Sequence, residues 1–336
     1  MNQTGVLLVN LGTPKSPKPK DVFRYLVEFL TDSRVVDIPW LQRQLLVRGL
    51  IVPRRYKMSA KAYQQVWTKE GSPLMVYGNQ VQKALQSSLG SNYKVELAMR
   101  YQEPSIRKTL DALLKHQIKH LIVVPLFPQY ASATTGSVLQ SVQENLSRYQ
   151  VIPKITMIDH FFDHPKMIAA FCEVAKSYDL GNYDHILFSF HGLPERHLKK
   201  ADRNNHCRYN KSCCNELTSK NVTCYSAQCY GTAKAIAKDL GLSQDSYEIS
   251  FQSRLGKDPW LKPYTSEVIE NLAKAGKKKV LVFCPSFVCD CLETIYEIGM
   301  EYSEEFKHAG GERLDLVPGL NAHPMWIEAL KDIVLG

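Results

Sequence analysis

Three groups of residues in this 336-residue chain are of types that do chemistry. The first is Phe188-Ser189-Phe190-His191-Gly192-Leu193-Pro194, in which an apolar run delivers an imidazole to its carboxyl end. Gly192 lets the backbone turn sharply and Pro194 stops the strand from continuing. An imidazole so placed can accept a proton or ligate a metal near neutral pH; alternatively it is a loop-end histidine that bonds only a neighbour. The second group is Asp290-Cys291-Leu292-Glu293-Thr294-Ile295-Tyr296-Glu297. If a helix begins there, Asp290, Glu293, Glu297 and Glu301 fall at i, i+3, i+7 and i+11 along one face. Carboxylates in a row hold their protons more tightly and can pass them along, although the same pattern suits a solvated helix face. Leu292, Ile295 and Met300 leave a second, apolar face for a core, which favours the first alternative. The third group is a crowd of thiols, Cys207, Cys213, Cys214, Cys224 and Cys229, within a short insertion-like stretch. Four thiolates in one loop can close on a [2Fe–2S] cluster or structural zinc, or remain free thiols. Their spacing matches neither a paired CxxC zinc ribbon nor a plant-type ferredoxin. Cys172 and Cys284 fall in periodic apolar segments and read as core residues.

Strands and helices must alternate to position these groups. The runs VLLVN, KVELAM, HLIVVPLF, KITMI, HILFSF, YEISF, KVLVFCP and RLDLVPG read as strands of a mainly parallel sheet architecture. Val22, Tyr25, Leu26, Phe29 and Leu30 give residues 21–30 a helical period, and residues 165–178 and 226–240 follow suit, with Gly241 ending the last. A weak duplication is visible. Leu11 to Pro14 resembles His191 to Pro194, KVELAMRYQEP resembles YEISFQSRLGKDP, and VVPLFPQYASATT resembles LVFCPSFVCDCLET. The expected fold is therefore α/β, with two Rossmann-like lobes of parallel sheet. Ligands in such sheets lie beyond the carboxyl ends of the strands, so both lobes are expected to face a shared cleft. The expected divisions are residues 1–165, 166–320 with the cysteine insertion at 205–229, and a C-terminal helix at 321–336 packed back on the first lobe.

The composition, 44% hydrophobic and 22% charged, suits two folded domains. A net charge of +9 favours acidic small molecules or an anionic membrane face. No Arg-rich tract or aromatic RNA-reading motif accompanies it, so nucleic acid is not an expected partner. The N-terminal MNQTGVLLVNLGTP lacks a basic n-region, and no run reaches the roughly 18 apolar residues of a membrane span. A cytoplasmic chain is expected, in a reducing compartment that disfavours disulfides. Residues 35–58 mix Trp40, Leu45, Leu46, Leu50 and Ile51 with Arg43, Arg48, Arg54, Arg55 and Lys57. This stretch is either an active-site lip doubling as a peripheral contact at the inner membrane face, or a surface helix packed on its own lobe.

The motifs together resemble the ferrochelatase family. SFHGLP is similar to its signature segment, and DCLET to the acidic segment of Gram-negative-type members. VNLGTP, GSPLMVY (Gly71 to Tyr77), PQYASATTGS (Pro128 to Ser137) and FQSRLGKDPWLKPYT (Phe251 to Thr265) follow the family's order across residues 5–331. The resemblance implies two chelatase-type lobes with four-stranded sheets, and a lyase that inserts Fe²⁺, a substrate, into protoporphyrin IX with release of two protons, the last step of heme biosynthesis. It implies that His191 accepts the pyrrole protons or ligates the iron, with Glu293 as metal partner and Glu297 behind it. Leu11, Ser72, Arg100, Tyr101 and Tyr130 become candidate porphyrin contacts. Some bacterial members hold a [2Fe–2S] cluster through an internal segment. Cys207, Cys224 and Cys229 with one of the adjacent pair, Cys214 ahead of Cys213, are the expected ligands, with structural zinc or no metal as alternatives. The chain departs from the family in two places. Cys291 stands where vertebrate members carry His, and Leu11 where coproporphyrin-using members carry Tyr, which favours protoporphyrin. The vertebrate cluster is excluded, since Ser132 occupies its internal ligand position and no cysteine-rich C-terminal tail exists. A sirohydrochlorin chelatase, or a porphyrin carrier that lost catalysis, are the rival expectations.

Overall fold

The computed structural model describes residues 4–209, 211–256 and 258–336. All eight expected strands form: β1 (Thr4–Gly12), β2 (Tyr93–Tyr101), β3 (His120–Pro125), β4 (Lys154–Met157), β5 (His185–His191), β6 (Tyr247–Gln252), β7 (Lys279–Phe283) and β8 (Arg313–Leu316). They build two four-stranded sheets, ordered β2-β1-β3-β4 and β6-β5-β7-β8, with every pairing parallel. The orders are the same once four is subtracted from the second, so the duplication read from the sequence is a duplication of topology. Val6, Leu7, Leu8 and Val9 of β1, and Ile186, Leu187, Phe188 and Phe190 of β5, are buried on both faces, as central parallel strands must be.

The chain forms two compact units. One comprises the residues up to Phe127, Ala131–His160 and Leu330–Gly336; the other comprises Pro128–Tyr130 and Phe161–Ala329. In the first, Leu7, Val9, Leu110, Leu113, Val123, Val138 and Val142 pack helices on the sheet. In the second, Leu187, Ile269, Val280, Val282, Ile298 and Phe306 do the same. Each sheet delivers its central strand into a tight turn. At Gly12, φ is +122° and an added Cβ would lie 2.1 Å from the Tyr101 carbonyl oxygen, so only glycine fits.

One expectation is corrected here. After Asp290 the chain forms a π-helix over Glu293–Tyr302, not an α-helix, followed by an α-helical turn at Ser303–His308. A shorter π-helical turn, Ser132–Gly136, stands at the equivalent place after β3. With i→i+5 hydrogen bonds, residues four apart lie nearly one above another. Glu293, Glu297, Glu301 and Glu305 therefore form the file. Asp290 does not belong to it. Its buried carboxylate accepts bonds from Thr294 Oγ1 (2.9 Å), Gly319 N (3.0 Å) and Asn321 Nδ2 (2.7 Å), tying the helix start to the loop after β8.

Candidate active site

His191 ends β5, Gln252 ends the neighbouring β6 and pairs with it in register, and the π-helix follows β7 on the other side of β5. Three strand ends thus bring the histidine and the acids together within the second unit. The His191 Nδ1 lies 2.7 Å from the Gly192 carbonyl oxygen. A carbonyl can only accept, so Nδ1 carries the proton and Nε2 keeps the basic lone pair. Trp260 and Phe287 flank the imidazole, with ring centroids 6.5 and 6.3 Å away. Gly192 permits this packing, because an added Cβ would lie 2.8 Å from the Gln252 carbonyl oxygen and 3.2 Å from the Trp260 ring.

Gln252, almost fully buried, is the joint. Its Oε1 accepts from Ser189 Oγ at 2.9 Å, which fixes the amide so that Nε2 donates to the Glu293 carbonyl (2.9 Å) and to Glu297 Oε2 (3.1 Å). Ser253, at φ +65°, donates its hydroxyl to the same Glu297 oxygen at 2.6 Å. Tyr302 reaches Glu297 Oε1 at 3.3 Å. Burial pushes the Glu297 carboxyl above its ordinary value and the neighbouring Glu293 adds to this, against the opposing pull of Ser253, His191 and Gln252. Burial likewise raises Glu301 and Glu305, with Glu297 adding to the first. The file runs from half-buried Glu293 and Glu297 to exposed Glu301 and Glu305, so protons held at the inner end have a path outward. The Cys291 thiol, buried against Glu293, stays protonated because burial and that carboxylate both oppose its ionisation.

Sequence reasoning missed Gln252, Ser253, Tyr302 and Glu305. The first two stand in the FQSR segment, whose position at a strand's carboxyl end was the available signal. Among the porphyrin candidates, Tyr101 is buried and its hydroxyl donates to Asp32 (2.9 Å), while the Arg100 guanidinium pairs with the same carboxylate (2.7 Å). Ser72 is buried and caps the helix Pro73–Leu89. Leu11 is half-buried beside the end of β1, and the half-buried Tyr130 donates its backbone N–H to Gln228 Oε1 at 2.6 Å. Arg43 leaves the expected lip. It is buried and donates to the carbonyls of Val36 (3.3 Å) and Ile38 (2.7 Å).

The thiols divide in a way the spacing did not show. Cys207 lies beside Cys213 and within electrostatic range of Cys224; Cys213 Sγ is 3.9 Å from Cys214 Sγ; and the Cys214 thiol donates to Ser226 Oγ at 3.3 Å, beside Cys224. Cys224 precedes the helix Tyr225–Asp239, where the Cys214 thiol and the backbone N–H groups of Ala227 and Ser226 hold its thiol at about 7 despite burial. Burial pushes Cys207 up to about 11. Cys229, on the same helix, is fully buried beside the Tyr225 hydroxyl and within electrostatic range of Cys224. Among the described residues no three His, Cys, Asp or Glu side chains stand at metal-binding spacing.

Two parallel four-stranded sheets with an imidazole and an acid file at their strand ends define a chelatase-type α/β protein. SirB from Bacillus subtilis, solved with Fe³⁺, has this fold, with a TM-score of 0.55 at 14% identity, covering 98% of this chain and 93% of that one. The sirohydrochlorin chelatase SirB from Bacillus subtilis subspecies spizizenii, solved with cobalt, gives 0.56 at 12% identity, covering 99% and 94%. The ferrochelatase family model matches residues 3–336. A ferrochelatase of Legionella pneumophila is 45% identical over 330 residues, 98% of each chain, and one of Coxiella burnetii is 44% identical over 331 residues, 98% of this chain and 92% of the relative. The chain belongs to the ferrochelatase family, lyases of heme biosynthesis.

The raised Glu297 makes a prediction about stability. An acid whose pKa rises above its ordinary 4.5 on folding stabilises the fold in acid and loses that contribution as pH climbs through its folded value. Glu297→Gln should therefore melt at the same temperature as the parent in acid and progressively above it toward neutral pH. Thermal melts across pH check this, and a difference that opens toward acid instead would contradict the assignment.

Proposed function

We propose that this chain inserts Fe²⁺ into protoporphyrin IX, with His191 Nε2 accepting the pyrrole protons as the metal enters and Glu293 and Glu297 relaying them to Glu301 and solvent. The observation that carries the reading is the His191 tautomer: the Gly192 carbonyl holds the proton-bearing nitrogen, so the basic one is presented to substrate. Each turnover releases two protons and changes no oxidation state, so a base and an exit route are what the protein must supply. General-base assistance is worth about 10²–10⁴-fold. A neutral imidazole and a carboxylate are also ligands that Fe²⁺ accepts, so Glu293 is proposed to receive the ion. Leu11 offers no phenolate ligand, which supports protoporphyrin over coproporphyrin as substrate. His191→Ala should cut turnover by about 10²-fold or more while protoporphyrin still binds. Anaerobic assay with Fe²⁺, read beside protoporphyrin fluorescence on titration, checks both, and a fully active variant removes the catalytic assignment.

The thiol loop is proposed to carry a [2Fe–2S] cluster, held by Cys207, Cys213, Cys214 and Cys224. Support comes from the approach of these four side chains and from thiolate being the donor such clusters take. When bound, the cluster would cross-link a loop already tied by Asn221 to the carbonyls of Cys213 and Glu216; iron insertion requires no electron from it. Cys214→Ser should give a protein without the visible charge-transfer absorption of a cluster, whereas Cys229→Ser should keep it. Iron and sulfide analysis of both variants decides, and zinc in place of iron would overturn the cluster.

The helices of residues 40–66 are proposed to rest on an anionic membrane surface. Trp40 and Leu45 are 66% and 67% exposed, Leu41, Leu50 and Met58 are also exposed, and Arg48, Arg54 and Lys57 lie among them. Basic residues beside exposed apolar ones suit the headgroup boundary. No helix among the described residues is long and apolar enough to cross a membrane. Co-sedimentation with phosphatidylglycerol vesicles should fall with salt and be lost in a Trp40→Ala, Leu45→Ala variant. Equal sedimentation of parent and variant would refute the contact.

A further inference from the structure

The catalytic histidine is gripped by its backbone from the helix that begins at the thiol loop. The Tyr225 hydroxyl donates to the His191 carbonyl oxygen at 2.7 Å, and the His191 N–H donates to Ser286 Oγ at 3.1 Å. The Ser286 hydroxyl and the Cys229 thiol also neighbour the Tyr225 hydroxyl. The two bonds hold the N–H and the C=O of His191 from two separate elements. Tyr225 is buried, follows Cys224 directly and opens the helix Tyr225–Asp239. A buried aromatic that moves with its helix end would carry any displacement of Cys224 to the backbone of His191.

We propose that Tyr225, with Ser286, is a positioning residue for His191, and that through it the catalytic loop senses the condition of the thiol loop. Neither side chain needs to touch the porphyrin. Both peptide groups of His191 are fixed by side chains from other elements, which leaves the ring orientation to the Gly192 carbonyl and to Trp260 and Phe287. Cys229, fully buried on the same helix, packs beside the Tyr225 hydroxyl and backs it from the helix side. The loss of one such bond at a site that tolerates little misplacement is a rate effect more than a binding effect. The inference rests on His191 being the proton acceptor.

The test uses Tyr225→Phe, which removes one oxygen and keeps the ring. The expected result is a kcat lower by about tenfold with the protoporphyrin KM within about twofold. Ser286→Ala should lose a similar factor, and the double variant should lose less than the product of the two, because both hold the peptide groups of one residue. The His191 imidazole resonances, identified by their absence in His191→Ala, should shift in Tyr225→Phe. They should also shift when Cys224 is replaced by Ser in the parent, but not when the same replacement is made in Tyr225→Phe. A Tyr225→Phe enzyme with parental kcat overturns the positioning role, whether or not the resonances move. A Cys224→Ser shift that persists in Tyr225→Phe overturns the link to the thiol loop. Full activity in His191→Ala would remove the catalytic reading instead, and the resonance shifts would still report whether Tyr225 holds the histidine.

Discussion

One buried side-chain amide holds the acid-bearing helix to the sheet that carries the histidine. Gln252 has no freedom to rotate: Ser189, two residues before His191 on β5, donates to its oxygen, so its nitrogen must face the π-helix, where it finds the Glu293 carbonyl and the Glu297 carboxylate. Ser189 is itself bonded to Thr265 at 2.9 Å, and Thr265 to Ser250 at 2.8 Å, so the polar chain beneath the site is satisfied throughout. Buried polar groups are costly when unpaired and rigid when paired. The geometry of the imidazole and the acids is therefore set by the interior of the sheet as much as by their own loops.

The acids show how one environment yields graded proton affinity. Glu297 is held up by burial and by Glu293, and held down by two hydroxyl and amide donors and the imidazole. Glu301 and Glu305 sit further out, each raised mainly by burial. Glu297, Glu301 and Glu305 thus hold protons more tightly than free carboxyls and run along one face from the interior toward water. The π-helix carries this file at a spacing of four, and Asp290, outside it, has a purely architectural task.

Duplication of topology did not bring duplication of chemistry. The carboxyl end of β1 carries Leu11 where that of β5 carries His191, and the π-helical turn after β3 is Ser132-Ala133-Thr134-Thr135-Gly136 where that after β7 carries the acids. Arg100 and Tyr101, at the end of β2, are drawn to Asp32 in the first unit. Gln252, at the end of the corresponding β6, serves the acids. A repeated scaffold offers the same strand ends twice, and side chains alone decide which set reacts.

The eight strands, the doubling and the placement of His191, Glu293 and Glu297 beyond strand ends were legible in the sequence, because apolar period, turn-forming Gly and Pro and unusual polar residues at strand ends are local signals. Helix type was not, since an acidic repeat of four fits an α-helix nearly as well as a π-helix. Nor could spacing sort the thiols. Cys224 and Cys229 are both within the same short segment, yet one faces the other thiols and the other the core, a distinction set by the first turn of a helix. Tyr225 and Ser286 carry no sequence mark of their roles, and Gln252 and Ser253 only that of standing at a strand's carboxyl end. Their bonds join residues from 34 to 95 positions apart, and such contacts exist only once the sheet has set three strand ends side by side. Composition and periodicity thus determined which elements form and which residues could react; packing decided which nitrogen of His191 is basic, which carboxylates stand in file, and what holds them there.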